Sequence, residues 1–309
     1  DYIVIPRGCY DELISQLSGA GVLYDVVDKR QKGRKIDVHF NGALYPEQQV
    51  AAEKMLYNDI GVLAAATAFG KTVLGAYLIA QKKVNALVLV HNVEIMNNWI
   101  KDLNSFLTIN EELPTYTTPK GRVKKRSSLI GTFSSQKDAT TGIIDIAMIT
   151  SLGREDNINE LVRNYGMVIV DECHHAAAVT HENVLRAVTA RYIYGMSATI
   201  NRGDKQDKKM FMQLGPIRHR YTAKERAQKQ GIGHYIYPRF TRLVDLNQSE
   251  DRNPADYYRL IMQSELRNMQ IVSDTMDCVM RGRTPVVMTK YKEHAQKLYD
   301  MLQGSADHV

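Results

Sequence analysis

Five short apolar runs punctuate the chain: Gly61 to Ala65, Ala86 to Val90, Ile143 to Thr150, Met167 to Val170 and Tyr192 to Ser197. Each is far too short to cross a membrane and too continuous for a half-exposed strand, so each reads as a buried parallel strand. Between them, KTVLGAYLIAQKK (71–83), VEIMNNWIKDLNSFL (93–107), NINELVRNYG (157–166) and HENVLRAVTA (181–190) set apolar residues at helical spacing. Strand and helix alternating in this way predict a doubly wound α/β sheet, in which chemistry gathers beyond the carboxyl ends of the strands.

The rhythm changes on either side and once in the middle. Residues 1–43 predict a small accessory α/β element, with strands Tyr2 to Ile5, Val22 to Val27 and Ile36 to Phe40 around a helix from Tyr10 to Ala20. From Glu111 to Gly142 the chain turns polar and gathers Lys120, Arg122, Lys124, Lys125 and Arg126, predicting a long surface loop or hairpin that is either solvated or in contact with nucleic acid. After Arg239 the alternation pauses. Residues 253–280 then read as helical, TPVVMTKY (284–291) as a strand and KEHAQKLYDML (292–302) as a helix. The expected organisation is an accessory element at 1–43, the main α/β domain at 44–245, and at 246–309 a linker with the start of a second α/β domain that the chain does not complete.

Composition narrows the class only modestly. With 40 basic against 34 acidic residues, a net charge of +6 permits a polyanionic partner without requiring one. Cys9, Cys173 and Cys278 are too few and too far apart for a disulfide framework or a CxxC metal site, which suggests a reducing, cytoplasmic setting. The chain lacks an apolar run long enough to span a membrane and its opening DYIVIPRG lacks the pattern of a secretory signal. It also begins without Met, which suggests a piece of a longer protein.

Three clusters carry chemistry. The first apolar run feeds Ala66, Thr67, Ala68, Phe69, Gly70, Lys71 and Thr72 and then a helix, setting backbone N–H groups, an ammonium and a hydroxyl where a triphosphate and its metal would sit. Gly70 would let the backbone curl around the phosphates, Lys71 would neutralise the β and γ groups, and Thr72 would bind Mg²⁺ through its hydroxyl. Ala65 and Ala68 fill two positions where glycine is usual, and an ordinary tight turn is the plainer alternative. The fourth run delivers Asp171, Glu172, Cys173 and His174 to a strand end. There Asp171 would hold Mg²⁺, Glu172 would orient and deprotonate the attacking water, and His174 would pass nucleotide state onward. The alternatives for His174 and His175 are a metal-binding or merely hydrogen-bonded pair; zinc is disfavoured for want of further spaced ligands. Ser197, Ala198 and Thr199 close the last run, either as a bridge between the carboxylate strand and the rest of the molecule or as a structural turn.

The order GKT, DECH, SAT, each leaving an apolar strand, resembles motifs I, II and III of the DEAD/DEAH-like superfamily 2 helicases. That resemblance implies a RecA-like P-loop NTPase fold, ATP and Mg²⁺ as cofactors, and movement on nucleic acid. Leu44-Tyr45-Pro46-Glu47-Gln48 is similar to the family's adenine-reading motif, implying Gln48 as the reader, with Gln49 as fallback. Leu89-Val90-His91 with Glu94 and Trp99 resembles motif Ia, and Asp145 to Leu152 resembles motif Ib, implying that His91, Asn92, Thr150 and Ser151 touch the sugar–phosphate backbone. Asn92 stands where arginine is common.

SATINRGD, 197–204, resembles the signature of XPB-like translocases and type III restriction motor subunits, with Ile200 in place of a proline; it implies Arg202 at the nucleic acid and duplex DNA as the partner. Val286 to Lys290 resembles motif IV, so the likeness runs from about 44 to 303. Motifs V and VI are missing, and without the arginine finger of motif VI hydrolysis by this chain alone would be slow, since such a finger is worth ~10³-fold or more. Two rivals stand beside the motor: the motor part of a restriction or defence system whose nuclease lies elsewhere in a longer protein, and a nucleotide-gated binding module without turnover.

Overall fold

The computed structural model describes residues 3–118, 120–154, 157–174, 179–200, 205–229, 231, 233, 235–241 and 253–304. By contact the chain divides into two units, Asp1–Gly233 and His234–Val309.

The first unit is built on an eight-stranded sheet. In chain order its strands are β1 (Ile60–Ala65), β2 (Ala86–Val90), β3 (Ile130–Ser134), β4 (Lys137–Asp138), β5 (Ile144–Met148), β6 (Met167–Asp171), β7 (Tyr192–Ser197) and β8 (Ile217–Tyr221). Across the sheet they lie β8-β1-β7-β6-β2-β5-β3-β4, all parallel except the edge strand β4. The five apolar runs are the five central strands, buried on both faces as their unbroken hydrophobicity predicts. Helices cover each face. Helix α2 (Pro46–Tyr57), α3 (Lys71–Lys82) and α4 (Val93–Phe106) pack Ala51, Met55, Leu74, Leu78, Trp99 and Leu103 on Leu63, Val88 and Ile169. On the other face α5 (Val179–Ala187) and α6 (Lys205–Leu214) set Leu185, Met210 and Leu214 on Val62, Leu87 and Val168. Alternate residues of each strand thus serve opposite cores, which makes the sheet doubly wound and RecA-like.

Several local expectations fail for physical reasons. The amino-terminal helix α1 (Tyr10–Gly19) forms and Val38–Phe40 pairs antiparallel with Leu107–Ile109. Ile3 to Ile5 and Val22 to Val27, however, form no strand: no strand among the described residues pairs with them, and Leu23 is 98% exposed. NINELVRNYG is a two-residue strand and a 3-10 turn, Glu160–Arg163, in place of an α-helix. Asn159 caps that turn by accepting from Leu161 N–H, and the buried Asn85 amide takes the Asn164 carbonyl and the Gly166 N–H. Side-chain competition for backbone groups of this kind ends a helix early. The polar stretch 111–142 forms a hairpin of the kind expected, Thr115–Thr117 with Val123–Lys125, and also hides β3 and β4.

The second unit contains helices Pro254–Gln263, Glu265–Met280 and Lys292–Leu302. TPVVMTKY lies beside no partner strand among the described residues and makes no ladder, leaving Val286 and Met288 exposed. Within this unit the buried Asn268 meets His294 Nε2 at 2.9 Å, while Thr289 meets His294 Nδ1 at 2.7 Å.

Candidate ATP site

The loop 66–70 leaves β1 and enters α3 through two left-handed residues, Ala68 at φ 60° and Gly70 at φ 84°. Gly70 answers a steric demand as well as a torsional one, because a Cβ there would lie 2.4 Å from Gln48 Nε2. The loop is held on three sides. Gln48, 3% exposed, accepts from Tyr45 N–H at 2.9 Å and donates to Phe69 O at 2.8 Å. Ala66 N–H donates to Tyr221 O, and the Phe69 and Tyr221 rings lie 5.0 Å apart. Arg226, in the Ala223–Lys229 helix, donates to Thr67 O at 2.7 Å. Gln48 therefore meets the loop itself, and the neighbouring Gln49 is exposed and bonded to Leu44 O. Thr72 is half-buried in the first turn of α3.

Strand β6 brings the carboxylates to this loop. Asp171 and Glu172 close a strand that lies beside β7, and Glu172 takes a left-handed φ of 46°, a conformation a non-glycine residue holds only where its surroundings impose it. Lys71 Nζ lies 3.7 Å from Glu172 Oε1 and donates to Ala65 O at 3.4 Å. Glu172 Oε2 lies 3.3 Å from His174 Nδ1, which meets Ser197 Oγ at 2.9 Å. Ser197, fully buried, in turn contacts Thr199 through both N–H and carbonyl, and Ala198 forms the bend between them. The loop, the DECH strand and the SAT strand end are thus joined by side-chain contacts.

Asp171 has a partner that its motif does not announce. Trp99, 1% exposed on α4, donates its indole N–H to Asp171 Oδ2 at 2.8 Å, while Glu172 N–H donates to Oδ1 at 2.9 Å. Burial pushes the Asp171 carboxyl above its ordinary range, with the indole N–H pulling against it. The indole reaches the carboxylate because Gly75 of α3 leaves room: a Cβ at 75 would sit 2.4 Å from Trp99 Cη2. Burial likewise pushes the Cys173 thiol up, so it is an inert core group.

The remaining expected residues are dispersed around this centre. Asn92 caps α4, accepting from Ile95 N–H at 2.8 Å, and its Nδ2 meets His91 Nε2 at 3.2 Å. Thr150 is exposed and Ser151 half-buried on a single turn, Ile149–Leu152, after β5. Arg202 and His175 lie outside the described residues. Sequence reasoning missed Arg226 and Gly75 altogether; neither carries a local signal, since each acts through packing between distant segments. No helix among the described residues is long and apolar enough to cross a membrane.

A P-loop at a strand-to-helix turn, paired carboxylates on a neighbouring strand end and a buried hydroxyl linking them define an ATPase domain of superfamily 2 helicase type. Residues 41–202, more than half of the chain, match the family model described as type III restriction enzyme, res subunit, and the chain belongs to that family. It is 26% identical over 187 residues to a putative ATP-dependent RNA helicase, L396, of Acanthamoeba polyphaga mimivirus, covering 59% of this chain and 33% of that protein. It is 22% identical over 182 residues to the DNA 3'-5' translocase XPB2 of Sulfurisphaera tokodaii, covering 59% and 36%. Among solved structures it is similar to T4 UvsW, with TM-score 0.49 and 12% identity over 98% of this chain and 62% of that one. The chain spans between 33% and 51% of the length of the first curated relatives it matches.

Proposed function

We propose that this chain is the ATP-hydrolysing part of a motor that moves on nucleic acid, with duplex DNA as its track. The observation that carries the reading is the continuous line of contacts from Lys71 through Glu172 and His174 to Ser197, because it ties the phosphate loop to the strand end from which the SAT turn leaves. Lys71 and Glu172 face one another as an ion pair, and a bound triphosphate would draw the ammonium away and free the carboxylate for water. His174 would register that exchange and pass it to Ser197 and Thr199.

The donor set suits magnesium. Thr72 supplies a hydroxyl and Asp171 a carboxylate, both hard oxygens, and an ion that takes one or two protein ligands completes its shell from phosphate and water. The ion would polarise the γ-phosphate. Lys71 and the backbone N–H groups of 66–72 bind the phosphates, and Glu172 orients the attacking water and takes its proton. Gln48 acts through the loop it pins, by way of Phe69 O. His91, Asn92, Thr150, Ser151 and Arg202 lie along the sugar–phosphate backbone in this reading, and residues 246–309 begin a second α/β domain. Retention of Lys71 and Glu172 together speaks for turnover, since a nucleotide-gated clamp has no use for a water-activating carboxylate.

Duplex is favoured over RNA by the SATINRGD likeness. The test is displacement of a third strand from a DNA triplex by the full-length protein. ATP-dependent displacement lost in Glu172→Gln supports the motor; ATP consumed on duplex DNA with the third strand left in place overturns it.

A further inference from the structure

A second feature of the sheet edge has no role in the ATP site. The hairpin Thr115–Thr117 with Val123–Lys125 sets Thr115 opposite Lys125, Tyr116 opposite Lys124 and Thr117 opposite Val123. Its turn is closed by Thr118 N–H on Arg122 O, with Gly121 at φ 73°. Because side chains alternate along a strand, Lys124 and Lys125 project from opposite faces, so neither face can pack on a core. Lys120, Arg122, Lys124 and Lys125 are exposed, and none makes an ion pair among the described residues. Of the flanking acids, Glu111 pairs with Arg34 and Asp138 with Arg126, while Glu112 is exposed and makes no ion pair among the described residues. Residues 120–126 hold five cations and no carboxylate. Repulsion on this scale is a standing cost to the folded chain unless a polyanion relieves it.

The ribbon is anchored where nucleic acid is expected. Arg126 lies over the Tyr116 ring, 4.3 Å from its centroid, and donates to Asp138 O at 3.2 Å, fastening the base of the hairpin to edge strand β4. The turn before β4 opens a cavity of about 410 Å³ lined by Phe133, Ser134, Ser135, Gln136, Lys137, Asp138 and Ser151, the Asp138 carboxylate lying 3.8 Å from the Arg126 guanidinium. Hydroxyls, an amide and one ammonium suit a phosphodiester oxygen, and Ser151 is itself one of the residues expected at the backbone.

We propose that this cleft and the basic ribbon extend the nucleic-acid path, so that a strand passing Thr150 and Ser151 continues over Lys137 onto Lys120, Arg122, Lys124 and Lys125. The proposal rests on the motor reading above. The contact reads phosphate charge and carries no sequence information. Each phosphate neutralised contributes about −0.9 to the slope of log affinity against log salt for duplex DNA.

The experiment measures duplex binding by the full-length protein across a salt series, comparing wild type with the fourfold variant Lys120→Gln, Arg122→Gln, Lys124→Gln, Lys125→Gln. The slope is expected to become shallower by about 2 to 4, and affinity near 0.1 M salt to fall roughly 10- to 100-fold. Turnover of ATP without nucleic acid stays at the wild-type value, and the unfolding midpoint does not fall. A control removes charge around the bridge between Lys35 and Val84 that precedes β2, with Lys29→Gln, Lys32→Gln and Lys35→Gln; its slope is expected to move by less than about 1. An unchanged slope in the ribbon variant, or an equal loss in the control, overturns the proposal. Wild-type protein that binds no nucleic acid at any salt overturns the motor reading on which it stands.

Discussion

Asp171 accepts one hydrogen bond on each carboxylate oxygen, and one of the two donors is the chain's single tryptophan. Trp99→Phe keeps most of the ring and removes the N–H. The expected outcome is a several-fold higher Mg²⁺ requirement for nucleotide binding, with about 1–3 kcal/mol of stability lost from the unpaired acceptor and the smaller ring. A magnesium titration followed with a fluorescent nucleotide checks it, and an unchanged midpoint would refute the positioning role. Gly75→Ala acts on the same contact from the opposite side: the added methyl meets the indole at 2.4 Å, so an intrinsic helical gain of about 1 kcal/mol is expected to be outweighed by overpacking of about 1–3 kcal/mol. Urea unfolding gives the sign directly. In this chain, Trp99 emission should shift when Mg-nucleotide binds, because these 309 residues hold no other indole. The meeting of Lys71 with the Asp171–Glu172 pair was legible from residue type and order. Trp99 as the partner of Asp171, and Arg226 on Thr67 O, were not, because both contacts join segments far apart in sequence.

Among elements, unbroken apolar runs such as Ala86–Val90 announce central strands because both faces are buried. Strand β3 escaped notice for the opposite reason: Gly131, Thr132 and Ser134 dilute its apolar signal, and Gly131 is required where a Cβ would come 2.0 Å from Asp145 Oδ1. NINELVRNYG carried helical spacing, yet Asn85 decided its shape. That side chain receives Arg34 N–H at 2.9 Å and Gly166 N–H at 3.1 Å, and donates to Asn164 O at 2.9 Å and Gly142 O at 3.3 Å. It ties four segments together just ahead of β2. Asn85→Ala is expected to lower stability by about 2–4 kcal/mol, since several buried backbone groups lose their partner at once, while leaving the Km for ATP unchanged. Denaturant unfolding beside steady-state kinetics separates the two effects; a loss under about 0.5 kcal/mol would contradict this account of the element.

At the scale of the whole molecule, every residue of the ATP site described above lies in the first unit, Asp1–Gly233. The doubly wound sheet explains the convergence: β1, β6 and β7 lie side by side in the order β1-β7-β6, and all point their carboxyl ends the same way. Three motifs spread over more than a hundred residues therefore meet in one place, a consequence of parallel topology that the spacing of strands and helices already contained. The most direct test of the central claim is ATP turnover by the full-length protein with no nucleic acid, with duplex DNA, with single-stranded DNA and with RNA, each beside Glu172→Gln. Stimulation by duplex DNA, reduced to background by Glu172→Gln, is the predicted result; tight Mg-ATP binding with no turnover on any nucleic acid would contradict it.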